Sequence, residues 1–107
     1  MKAADCKTMA DIRAEIDRVD RELVAKFAER TSYIDRAAAI KTSIGWPARI
    51  NSRVEEVVAN VRAEAVTHGL PPDKLEKLWR KLIEWSIARE EDVLGPDSDP
   101  RNPAEGL

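Results

Sequence analysis

The chain has 107 residues, with 18 Lys and Arg against 20 Asp and Glu and a formal net charge of −2. This near-balance, without a basic tract and with only 3 Trp, 1 Tyr and 1 Phe, excludes the charge footprint and stacking platforms of a nucleic-acid binder, and no apolar stretch is long enough to span a bilayer. One cysteine, Cys6, cannot close an internal disulfide, and the first residues lack the apolar run of a secretory signal, so a cytoplasmic location is expected.

Thr8 and Asp11 form a capping pair, and a helical pattern follows them. Apolar residues recur at Ile12, Ile16, Val19, Leu23, Phe27, Ile34, Ala37 and Ile40, and neither Gly nor Pro interrupts residues 8–44. One helix is therefore expected to about Ser43. At about 1.5 Å per residue it would be roughly 50 Å long, against a radius of gyration of about 13 Å for a compact globule of this size. The rest of the chain is too short to cover it. A second copy of the same helix is the economical cover, which predicts a homodimer with a coiled-coil-like seam; the alternative is a broken helix folding back as a monomeric bundle. Steps of three and four from Ile12 place Lys26, Arg30 and Lys41 inside that seam. A buried cation is costly unless an anion meets it.

Gly45-Trp46-Pro47 marks a loop. A second helix is expected from Asn51 or Ser52, with Ser52 and Glu55 as a capping box and Val54, Val57, Val58, Val61 and Ala65 as its apolar face. Gly69 after His68 ends it, with Leu70 as the flanking apolar contact. Pro71-Pro72-Asp73 opens a third helix that runs to about Leu94, where Gly95-Pro96 stops it. Residues 1–95 thus read as one all-α domain of three helices, without a strand signal, and residues 96–107 as a disordered tail.

The third helix carries Ser86 and Glu90 on the stripe shared with Trp79, Leu82 and Ile83. A serine there is often only a small residue bonded to the preceding turn, whereas a core-facing acid needs a partner. Arg30 and Lys41 are 11 residues apart and return to within about 20° of one face, so their heads can converge on one ligand. Arg13 stands 17 residues before Arg30, about 25 Å away along the helix, and reaches such a site only from a second subunit. Alone it would read as a solvated arginine. Arg49 and Arg53 flank the start of the second helix, either as anion contacts or as solvent arginines. His68 has no second ligand at metal spacing, and neither a catalytic triad nor a glycine-rich phosphate loop is present, so no metal or cofactor is expected. Trp46, Trp79 and Trp85 read as packing residues. Cations, a serine and an acid facing the core of a helical protein point to a small-anion site.

With these residues in place, the chain resembles the all-helical chorismate mutases over roughly residues 8–94. The likeness rests on Asp11-Ile12-Arg13 through Ile16-Asp17-Arg18-Val19-Asp20, on Ala28-Glu29-Arg30, on Lys41 and Arg53 at the family's intervals, and on Leu82 through Glu90. The resemblance implies an intertwined homodimeric helical bundle with two sites, each completed by Arg13 of the other subunit. It implies a dicarboxylate substrate, chorismate or isochorismate, with no metal, cofactor or covalent intermediate. Arg13 and Arg30 would hold the carboxylates, Lys41 and Glu90 would flank the ether oxygen, and Ser86 and Arg53 would fix the ring and side chain. Lys41, as a buried cation, would be replaceable by alanine without loss of stability.

Two features depart from the family pattern. Glu90 stands where bacterial members usually carry glutamine and fungal ones glutamate, and it donates a hydrogen bond only when protonated. Ile50 and Val54 stand where many mutases carry acids that bind the ring hydroxyl. Together with Asp5-Cys6 ahead of the Arg13 segment, these lean towards the isochorismate-pyruvate lyase branch, which releases pyruvate and forms salicylate. The activity expected first is chorismate mutase, then the lyase, and last a non-catalytic helical interaction module.

Overall fold

The computed structural model describes residues 1–96, and they are all-helical. A short 3₁₀ turn, Ala3–Asp5, precedes α1 (Met9–Ile44), α2 (Asn51–Thr67) and α3 (Pro72–Leu94). The tail expected at 96–107 lies outside the described residues from Asp97 onward.

The capping pair expected at the start of α1 is present. The Asp11 amide donates to Thr8 Oγ1 at 3.1 Å, and Asp11 Oδ2 accepts from the amides of Lys7 at 3.0 Å and Thr8 at 3.3 Å. These bonds occupy amides that the helix itself leaves open and lower the Asp11 carboxyl below its ordinary value. With neither Gly nor Pro inside it, α1 runs its 36 residues unbroken, and the broken-helix alternative is set aside. It ends at Gly45, whose φ of 74° turns the chain so that the Trp46 amide reaches back to the Lys41 carbonyl at 3.0 Å.

The described residues divide into two compact units, residues 1–33 and those from residue 34 onward. In the first, the apolar stripe of α1 faces outward: Ile16, Val19, Leu23 and Phe27 are 38–54% exposed. Lys26, expected in a buried seam, is exposed and paired with Glu29 at 3.1 Å. Like the apolar stripe, it is uncovered within the single chain.

The second unit holds the core. Ala48, Val58, Ile83 and Ile87 form a buried cluster, with Val54, Val57 and Leu94 packed against it. The expected face of α2 is confirmed, since Val58 and Ala65 are buried and Val54, Val57 and Val61 are half-buried. The expected Ser52–Glu55 capping box is not formed. α2 begins at Asn51, the first of the two expected starts, with Ile50 as N-cap and no side-chain cap, and Glu55 is drawn to Arg80 of α3. The end of α2 is as expected: Gly69 has φ 71°, its amide reaches Val66 O at 3.1 Å, and the Leu70 amide reaches Ala65 O at 2.8 Å. α2 and α3 pack along each other, and Arg62 and Arg80 lace their surfaces to Asp73, Glu76 and Glu55. Trp46 and Trp85 are 39% and 51% exposed and so are not core residues within the chain. Trp85 lies outside the buried face of α3, which is formed by Ile83, Ser86, Ile87 and Glu90. Among the described residues no helix is long and apolar enough to cross a membrane.

Candidate active site

The face of α3 that packs inward carries two polar side chains among its apolar ones. Ser86 is 6% exposed and Glu90 5%, one helical turn apart. Ser86 Oγ donates to the Leu82 carbonyl at 2.9 Å, the local bond a serine makes when it sits on a helix's own preceding turn. Glu90 is different because a buried carboxylate needs an opposite charge.

Lys41 supplies it. Its Nζ is 2.8 Å from Glu90 Oε1, and the two side chains are only 16% and 7% exposed. The same Nζ donates to the Ala48 carbonyl at 2.9 Å. Lys41 is therefore held from two sides, by the loop after α1 and by α3. Its contact with Glu90 is a buried ion pair in which Oε1 meets the ammonium directly. Removing both charges from water costs desolvation that their attraction only partly returns, so a pair this buried is weak evidence of a purely stabilising role. The neighbours Glu91 and Asp92 lie at the more exposed helix end, which separates Glu90 from them.

The loop–α2 region contributes further charges. Arg49 pairs with Glu84 of α3, whose carboxyl is held below its ordinary value by that guanidinium. Arg53 pairs with Glu56 along its own helix and is 62% exposed, so it does not join the Lys41–Glu90 pair. In the first unit Arg13 is exposed and Arg30 half-buried on α1. Of the six expected residues, the structure thus brings Lys41, Ser86 and Glu90 onto the buried face of the second unit. Ile50 and Val54 are half-buried and supply no charge near the start of α2.

Sequence reasoning missed the Ala48 carbonyl as a partner of Lys41. It carries no side-chain signal, since a loop's path decides where its carbonyls point. The anion that answers Lys41 was legible, because Glu90 stood alone among acids on an apolar stripe. A separate apolar cavity of about 240 Å³, lined by Val61, Ala65, Leu70, Leu75 and Trp79, lies towards the α2–α3 turn and holds none of these groups. Among the described residues no cluster of three or more His, Cys, Asp and Glu is placed to hold a metal ion.

This arrangement sets a cation and a carboxyl side by side on one buried face. Comparison with known proteins gives it a context. Residues 12–91 match the family described as chorismate mutase type II. An isochorismate pyruvate lyase of Pseudomonas aeruginosa is 34% identical over 90 residues, covering 80% of this chain and 84% of that protein. A chorismate mutase of Methanocaldococcus jannaschii is 28% identical over 86 residues, 80% of this chain and 87% of that one. A T-protein of Enterobacter agglomerans is 31% identical over 81 residues, 76% of this chain, but the match spans only 22% of its length.

Proposed function

The chain belongs to the type II chorismate mutase family, and from that membership we propose that it rearranges chorismate to prephenate as a homodimer with shared active sites. The observation that carries this reading is the buried Lys41–Glu90 pair on the inward face of α3.

The substrate is a ring with two carboxylates and an enolpyruvyl ether. Its rearrangement is intramolecular, so the protein has two tasks. It must hold the flexible arm over the ring, which converts lost conformational freedom into rate. It must also favour the ether oxygen as the C–O bond breaks and negative charge grows there; one preorganised donor at such a position contributes roughly 3 kcal/mol. We assign Lys41 and Glu90 to that oxygen, Lys41 donating as an ammonium and Glu90 through its protonated carboxyl. Arg30 and Arg13 of the partner subunit take the carboxylates through charge-assisted forks, and Ser86 and Arg53 fix the ring and the side chain. Residues 1–95 act as the catalytic domain. The outward stripe of Ile16, Val19, Leu23 and Phe27 is the surface a second copy would cover. A lone cysteine suits a reducing compartment, and we assign the protein to the cytoplasm.

A second reading is isochorismate-pyruvate lyase. Two observations favour it: the 34% identity to a protein of that name along most of its length, and apolar Ile50 and Val54 where hydroxyl-binding acids stand in many mutases. Fold alone does not choose between the two. Incubating the purified protein separately with chorismate and isochorismate separates them. Loss of chorismate absorbance with formation of prephenate supports the mutase, and salicylate fluorescence from isochorismate supports the lyase. Turnover of neither would overturn both readings.

A further inference from the structure

Lys41 and Glu90 come from helices that lack a packed seam of their own. Within the described residues only α2 and α3 pack along each other extensively, and α1 forms no comparable seam with α3. Two ion pairs tie residues 34–44 of α1, where Ala38 is buried, to α3. Besides Lys41–Glu90, Arg89 reaches Asp35 with both arms of its guanidinium, Nε to Oδ1 at 2.6 Å and a terminal nitrogen to Oδ2 at 3.0 Å. A bidentate fork sets orientation as well as distance, which a single ammonium contact does not.

The placement of this fork relative to the site is specific. Arg89 is the residue before Glu90, about 100° around α3 from it, and Asp35 precedes Lys41 by six residues, about 9 Å and roughly 120° around α1. The two ion pairs therefore stand on different sides of the line along which the helices approach. α2 holds α3 from one side, and against α1 one ion pair sets a distance, whereas two on separate sides also set roll and register. Asp35 and Arg89 are half-exposed and touch neither Lys41 nor Glu90 in any recorded bond.

We propose that Asp35 and Arg89 are positioning residues for the active site, a fork that holds α3 in the roll and register at which Glu90 faces Lys41. Neither residue needs to touch the substrate. Loosening the fork lets Glu90 drift from the oxygen it must meet, and catalytic contacts lose rate steeply with small displacements. This rests on the proposed reaction, so the experiment carries a second readout that does not.

The test compares Asp35→Asn, Arg89→Lys, Arg89→Ala and the exchanged pair Asp35→Arg with Arg89→Asp. With chorismate and isochorismate as substrates, Arg89→Ala should lower kcat on the order of ten-fold while KM stays within about two-fold, because binding by the other cations is untouched. The exchanged pair should recover at least half of the parental kcat, and Arg89→Lys should fall between. The second readout is the Lys41 ammonium NMR resonance in the ligand-free protein, assigned with Lys41→Arg. It should shift in Arg89→Ala and return in the exchanged pair. A kcat unchanged in Arg89→Ala, a loss confined to KM, or an exchanged pair no better than the single variants would overturn the proposal. If the parent turns over neither substrate, the proposed reaction fails; an unmoved Lys41 resonance would then overturn the positioning role, and a moved and restored one would sustain it. Should Arg89→Ala not fold, Asp35→Asn and Arg89→Lys decide by the same two readouts.

Discussion

Lys41 shows how a partner reverses the consequence of a substitution. As an uncompensated cation it could be removed at no cost to stability. Paired with a Glu90 that is 5% exposed, it cannot. Lys41→Ala leaves a buried carboxyl without its cation, and breaking one side of a buried pair typically costs about 3 kcal/mol. The variant should unfold at markedly lower urea concentration, and kcat/KM should fall by about two orders of magnitude, the loss of a donor to developing charge. Full activity in a destabilised variant would make Lys41 purely structural. Glu90→Gln tests the other side of the same oxygen. Its amide donates at every pH, whereas the parental carboxyl donates only when protonated, so the ratio of variant to parental kcat should climb between pH 5 and pH 9. A flat ratio would place Glu90 outside the reaction.

Among the elements, the junction of α2 and α3 rests on two devices that respond to different perturbations. The first is the turn at Gly69. A side chain there would meet no atom within 4 Å, yet φ is +71°, so the cost of Gly69→Ala is conformational, not steric crowding. A loss of about 1 kcal/mol is expected, read from the urea midpoint at constant slope. The second is the ion network in which Arg80 bonds Glu55 and Glu76. Hydrogen bonds from that guanidinium hold both carboxyls below their ordinary value of 4.5. Carboxyls lowered in the folded state bind protons more readily when unfolded. Their stabilisation is therefore fully present above about pH 4.5 and is lost as pH falls through the folded values. The effect is small, because these groups are solvent-screened. Tm should decline from pH 5 to pH 3, less steeply in high salt, and Arg80→Met should remove part of the slope.

At the scale of the whole molecule, the proposed homodimer sets a second chain on the outward apolar stripe of α1. A charge placed within it, Leu23→Glu, should shift the protein from dimer to monomer in sedimentation and abolish turnover with it. Crossed sites make a separate prediction. Arg13→Ala and Lys41→Ala should each be inactive, yet equal mixing should restore up to about a quarter of full activity. Half of the dimers are then mixed, and each of these holds one intact site of two. No rescue after verified subunit exchange would place Arg13 outside its partner's site.

The number of helices, their ends at Gly45, Gly69 and Gly95, and the Thr8–Asp11 cap were all legible in the sequence, because periodicity, capping and left-handed glycines act over a few residues. Glu90 was legible as a candidate for a similar local reason: an acid on an apolar stripe must be answered by a cation. Other features depend on distant parts of the chain and left no local mark. Glu55 abandoned a capping box for Arg80, which stands 25 residues away. The Ala48 carbonyl became a partner of Lys41 only because the loop after α1 folds back towards it. Asp35 met Arg89 across 54 residues. Charged side chains choose among many partners once the helices are placed, and that choice belongs to the tertiary structure because the interactions competing for each charge differ by little in water and are decided by proximity and burial.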